Sequence, residues 1–301
     1  MADRKIERII KSRPVIEGAG VHLNRVFGFG ETGLFDPFLL LDDFRSDVPE
    51  HYLKGFPWHP HRGIETITYM LRGTVEHGDS LGNSGVIMPG DVQWMTAGGG
   101  IIHQEMPKGG DEGSMHGFQL WANLPGSHKM MEPRYREVKS TDIPVVESDD
   151  GVVMKIICGN AGTVKGPVSD VVIDPEYIDV TVPAGMKFRH PTKRGHTVLT
   201  YVIEGEGSFA GAEEPFSYDE VGRNYFDYSK QPMIGNGTLI VFADGDAIEV
   251  SASGKGVRFL LIAGRPIGEP VAWHGPIVMN TREELRQAFE ELDAGTFIRH
   301  G

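Results

Sequence analysis

Apolar residues along this chain come in short runs broken by Gly and Pro, which reads as many strands and turns rather than a bundle of helices. The strand-like segments are Val15–Glu17, Phe38–Leu41, Glu65–Leu71, Gly85–Met88, Val92–Met95 and His116–Ala122. Thr66-Ile67-Thr68-Tyr69-Met70-Leu71 is dense in β-branched and aromatic residues and stops at Gly73. Pro89-Gly90-Asp91 and Ala97-Gly98-Gly99-Gly100 punctuate as turns. Helical spacing is clear only in the tail, from Thr281 through Leu292. There Thr281 and Glu284 form a capping-box signal, Leu285, Phe289 and Leu292 make an apolar stripe, and Gly295 provides a stop.

The pattern also repeats loosely. Glu65–Gly73 is similar to Thr197–Gly205, Gly90-Asp91 to Gly245-Asp246, and Phe118–Pro125 to Phe259–Pro266. Two tandem antiparallel β-barrels in an all-β protein with a short C-terminal helix follow from this. The expected division is a first barrel over 1–138, a linker over 139–150 within the Asp-rich stretch Glu137–Gly151, and a second barrel over 151–301 that ends in the helix.

Composition narrows the function classes. The 301 residues suffice for two sizeable cores, and a net charge of −13 opposes direct nucleic-acid binding, which needs a basic face. The single cysteine, Cys158, forbids an intrachain disulfide and ends an apolar run, so it reads as a buried small hydrophobe. No apolar h-region follows the N-terminus, and no run approaches the ~18 apolar residues of a membrane span. The expected location is the cytoplasm, with no membrane partner.

The candidate chemistry lies in two short segments. In His59-Pro60-His61 the two imidazoles stand at i and i+2, so an extended backbone turns both to one face. His103-Gln104-Glu105 repeats that spacing. Three imidazoles and a carboxylate suit one divalent Fe, Mn, Ni, Cu or Zn ion and leave positions for substrate or dioxygen. Spacing alone leaves open whether the carboxylate is Glu65 or Glu105. Gly98-Gly99-Gly100 lets backbone pass close to the site. His22, His51, His77, His128, His274 and His300 lack a partner at ligand spacing and read as surface or structural. His116, before a core-like strand, is a candidate for orienting a ligand.

Gly55-x3-His59-x-His61-x3-Glu65-x7-Gly73 resembles the first cupin motif, and Gly90-x5-Thr96-Ala97-Gly98-x4-His103 a stretched second one with Thr96 where proline is usual. More narrowly, Phe56-Pro57-x-His59-Pro60-His61-Arg62-Gly63-x-Glu65-Thr66 and Gln93-Trp94-Met95-Thr96-Ala97-Gly98-x-Gly100-Ile101-x-His103-x-Glu105-Met106-Pro107 resemble the pirin family. So do Gln119-Leu120-Trp121, Gly264–Pro270 and Gly275-Pro276-x-Val278-Met279-Asn280-Thr281. The resemblance implies a double-cupin fold with a metal in the N-terminal barrel held by His59, His61, His103 and Glu105. Iron(II) comes first, with Ni, Cu, Mn, Co or Zn as alternatives. Glu65 is then an acid beside the site.

In the second half, counting back from Gly205 lands on Pro191 and Lys193 where the first has His59 and His61, so that barrel is expected to carry no metal. The resemblance further implies a quercetinase-type dioxygenase that opens flavonols, with a small aromatic substrate and dioxygen as partners. Glu105 would serve as catalytic base, and Phe56 and Trp58 as candidate substrate walls. The alternative from another class is a non-enzymatic, iron-dependent regulator acting through protein partners.

Overall fold

A computed structural model of the chain describes residues 2–110, 113–212, 214, 216–222 and 232–299; His300 lies outside them. Strands dominate it, as the short apolar runs predict, and one α-helix closes the described chain at Arg282–Asp293. Thr281 caps that helix, accepting from the Glu284 amide while the Glu284 side chain reaches back to the cap. None of the described helices is long and apolar enough to cross a membrane.

The chain divides into two compact units, Met1–Arg13 with Thr141–Pro266, and Pro14–Ser140 with Ile267–Gly301. This differs from the expected division at both ends. Strand Ile6–Lys11 pairs antiparallel with Thr238–Phe242, Ile9 opposite Ile240, and so joins the C-terminal unit. The terminal helix, expected on the second barrel, belongs to the first. Its stripe of Leu285, Phe289 and Leu292 packs beside Ile277, Met279, Ala288 and Phe297. A strand or amphipathic helix is stable only where it buries its apolar side; the strand's partner is remote in sequence, and the helix's cluster also takes in the remote Ile102 and Met130.

The unit around residues 14–140 is built on two larger sheets, with a two-stranded one of Ala272–His274 and Ile277–Met279 beside them. A seven-stranded sheet runs Arg134–Val138, Val92–Thr96, Ile64–Arg72, Met115–Asn123, Phe38–Ser46, Val21–Phe27 and Arg13–Glu17. A four-stranded one runs Phe56–His61, Ile101–Lys108, Thr74–Asp79 and Ser84–Ile87. The other unit is a ten-stranded sheet around a core that includes Ile178, Val198, Val202, Phe259 and Leu261. Cys158 is buried in that unit, its thiol 3.3 Å from the Val168 carbonyl.

The repeat has a structural counterpart. Ile64–Arg72 pairs with Met115–Asn123, and Thr197–Phe209 pairs in the same antiparallel sense with Ala247–Gly264. One equivalence shifts. Gly90-Asp91 opens Val92–Thr96, and the strand in that place in the second unit is Thr238–Phe242, opened by Gly237. Gly245-Asp246 therefore corresponds to the Gly99-Gly100 turn. By the same ladder Glu249 faces Arg189 and Ala247 faces Pro191, as His103 faces His59 and Ile101 faces His61. Arg189 and Pro191, rather than Pro191 and Lys193, stand in the histidine places, and neither offers a lone pair to a cation.

Candidate metal centre

Strands Phe56–His61 and Ile101–Lys108 run antiparallel with His59 directly opposite His103, so register alone brings the two segments together. The ring centroids of His59, His61 and His103 lie 4.4 to 5.0 Å apart. One ligand nitrogen from each falls within 4.8 Å of the others, the one such group among the described residues.

The hydrogen bonds fix two tautomers. His59 Nδ1 lies 2.8 Å from the Pro57 carbonyl and His61 Nδ1 lies 3.1 Å from the Pro276 carbonyl. A carbonyl only accepts, so both Nδ1 atoms carry hydrogen and both Nε2 atoms present lone pairs. Those two Nε2 atoms face each other at 3.1 Å. Bare lone pairs at that distance repel, whereas two ligands about 2.1 Å from one ion and at right angles to each other stand about 3 Å apart. Both ring nitrogens of His103 are buried with no hydrogen-bond partner, and ligation relieves one of them. Burial pushes the pKa of His61 and His103 well below the usual imidazole value, with the neighbouring rings adding to it, and lowers that of His59. Neutral imidazoles are what a metal requires. The residues fit a divalent transition metal.

Glu105 follows His103 by two residues on the same strand and is buried. Burial pushes its carboxyl up to about 7, opposed by the hydroxyl of Thr68, which lies 3.0 Å from Oε1. The same hydroxyl is 2.8 Å from Gln119 Oε1, and with a single hydrogen it serves one of them at a time. Glu105, His59 and His61 line a cavity of about 480 Å³ walled by Phe56, Trp121 and Trp273.

Three other expectations fall elsewhere. Glu65 is buried, but its Oε1 accepts from Thr96 at 2.6 Å and it does not line the cavity. Alternation along Ile64–Arg72 turns it to the face opposite Thr68. His116 likewise faces away from Met115, Gln119 and Trp121, which line the cavity; its Nε2 stands 3.4 Å from Asp43. Trp58 is 55% exposed and lies over Gly78, on the side of its strand away from His59 and His61. The glycines before His103 serve packing of a different kind. A Cβ at Gly98 would stand 2.2 Å from the Met131 carbonyl, and one at Gly100 would stand 2.9 Å from that of Phe297.

Other residues of the site were not evident in the sequence. His77, read as surface or structural, is buried with its ring 5.4 Å from that of His103 and its Nε2 3.4 Å from Asp79. The signal was present, since His77 and Asp79 alternate on one strand. Their strand pairs with the His103 strand, placing His77 opposite Glu105. Trp273 and Pro276 come from the segment after residue 266; Pro276 lies in a family-like stretch, but nothing in it pointed to the histidines.

The comparisons with known proteins point to one family. The model of the family described as Pirin matches residues 20–122, and that of the Pirin C-terminal cupin domain matches residues 177–298. A pirin-like protein of Caulobacter vibrioides is 45% identical over 99% of this chain and 100% of its own length. Human pirin is 40% identical over 95% of this chain and 91% of its own. The crystal structure of a quercetin 2,3-dioxygenase from Acinetobacter baumannii superposes with a TM-score of 0.85 at 29% identity, covering 98% of this chain and 99% of that one. With two cupin units, a histidine triad in the first and both family models matched in order, the chain belongs to the pirin family.

Proposed function

We propose that this protein is a flavonol dioxygenase of the quercetinase type. One divalent transition metal, iron(II) first among the candidates, would be held by His59, His61, His103 and Glu105. The observation that carries the reading is the pair of lone-pair nitrogens facing each other at 3.1 Å on the wall of a largely apolar, aromatic-sided cavity. A bound divalent metal supplies Lewis acidity that lowers the pKa of a phenol oxygen, and leaves positions beyond its protein ligands. The name of the Acinetobacter relative supports the substrate class.

The chain's own residues do the rest. Trp121, Trp273 and Phe56 present flat apolar walls to a planar substrate and exclude water. The Pro57 and Pro276 carbonyls hold the His59 and His61 rings in the tautomer that directs Nε2 inward. Glu105 would accept the flavonol hydroxyl proton on loosening from the metal, with the Thr68 hydroxyl, 3.0 Å from its Oε1, steadying the carboxylate. Dioxygen is the oxidant, and the ring opens with release of carbon monoxide.

The experiment is anaerobic metal loading followed by quercetin and oxygen consumption in air. Metal-loaded protein is expected to consume both, to lose activity on chelation and to regain it on adding the ion. Glu105→Gln is expected to lower kcat by about 100-fold or more, the typical contribution of a positioned base, with metal content measured on the same sample. A fully loaded wild type that consumes neither flavonol nor oxygen with any of the candidate metals overturns the reading. The iron-dependent regulator would then take its place; the aromatic-sided cavity beside the triad favours the enzyme.

A further inference from the structure

The cavity has a second polar pole that the metal chemistry does not use. Arg25, Asp42, Gln119 and Thr68 lie on four adjacent strands in one row across the seven-stranded sheet, Arg25 opposite Asp42, Asp42 opposite Gln119, and Gln119 opposite Thr68. All four line the cavity, and three strand spacings make the row about 14 Å long. One end meets Glu105 through Thr68. At the other, Arg25 donates to both oxygens of Asp42, at 2.9 and 2.7 Å, and to Glu17 Oε1 at 2.7 Å. Glu17 also lines the cavity.

The charges at that end do not cancel. Two carboxylates flank one guanidinium, whose fork is already directed at them, leaving a net negative pole at that end of a largely apolar chamber. Ionised carboxylates accept only, and each Asp42 oxygen keeps a lone pair beyond its bond to Arg25. Hydroxyl donors are therefore welcomed there with charge-assisted bonds, and anions are repelled.

We propose that this row selects the substrate: the cavity takes neutral aromatic molecules bearing hydroxyl groups at the end remote from the histidine triad, which donate to Asp42 and Glu17, and rejects aromatics bearing a carboxylate or phosphate there. The proposal rests on the flavonol reading for the chemistry at the metal end, but it is a statement about binding and can be read without turnover.

The test uses metal-loaded full-length protein under anaerobic conditions, with tryptophan fluorescence quenching as readout. The probes are luteolin, chrysin (the same flavone without the two hydroxyls on the pendant ring) and a flavone carrying a carboxylate on that ring. Luteolin is expected to bind about tenfold or more tightly than chrysin, as one hydrogen bond to a charged acceptor supplies, and the carboxylate least tightly. The luteolin-to-chrysin ratio is expected to fall toward one in Asp42→Asn and in Glu17→Gln. Glu17→Gln keeps the Arg25–Asp42 pair and reports even if the buried Asp42 variant folds poorly. Equal binding of luteolin and chrysin by a wild type that consumes quercetin overturns this proposal alone, as does a ratio that survives in Glu17→Gln and in a folded Asp42→Asn. Failure of every flavonoid to bind overturns it together with the flavonol reading.

Discussion

Lys129 shows how much of the site's frame hangs on single side chains. It is buried, and its ammonium donates to the Gly63 carbonyl at 2.9 Å, Asn123 Oδ1 at 2.7 Å and the Val278 carbonyl at 3.1 Å. The turn after His61, the end of the Trp121 strand and the C-terminal segment are thereby tied to one atom. Burial pushes its pKa down to about 7, against the pull of Glu269 and Glu284. The folded value then lies below the unfolded one of about 10.4, so between those two values the unfolded chain binds more protons. Stability should therefore rise with pH from about 7 toward 10, by up to about 1.4 kcal/mol per unit from this residue. Lys129→Met should lack that rise and, with three buried acceptors each losing a donor, be about 2–4 kcal/mol less stable near neutrality. Denaturant melts of both proteins across that range check the slope and the offset.

At the scale of elements, strand alternation sorted the candidates. His59 and His61, and separately His103 and Glu105, share a face because they are two residues apart, and this was legible from spacing. Glu65, His116 and Trp58 were chosen by closeness in sequence or by motif, and each lies on the wrong face of its own strand. Thr68 and Gln119 were invisible because their meeting depends on which strands are neighbours. Backbone crowding decides the joints between elements. Gly63 has φ +78°, and a Cβ there would stand 1.9 Å from the Val278 carbonyl. The Val278 amide also donates to the Arg62 carbonyl at 3.0 Å, so the two segments cannot simply part. Gly63→Ala is expected to cost at least about 3 kcal/mol and to lower metal retention, measured as melting temperature and metal content after dialysis.

On the scale of the whole molecule, the segment after residue 266 completes the first unit. It supplies Trp273 to the cavity wall and the Pro276 carbonyl to His61, while buried Arg62 bonds to Glu291 and to the Phe297 carbonyl, each at 2.8 Å. A chain ending at residue 266 is expected to strip Arg62 of Glu291 and the Phe297 carbonyl, leaving it the Gly99 carbonyl, and to leave the cavity open. Its melting temperature should fall by about 10 °C or more and metal should be lost on dialysis; calorimetry with metal analysis checks both. By itself the sequence determined the class of fold, the loose repeat, the capped helix and the two histidine segments, because these rest on local periodicity, turn chemistry and spacing within a strand. Only the tertiary structure decided which unit the terminal helix joins, which acids face the cavity, and that His77, Arg25 and Pro276 belong with the site. Those outcomes depend on strand neighbours and on burial between segments as much as 235 residues apart, and local pattern alone does not decide them.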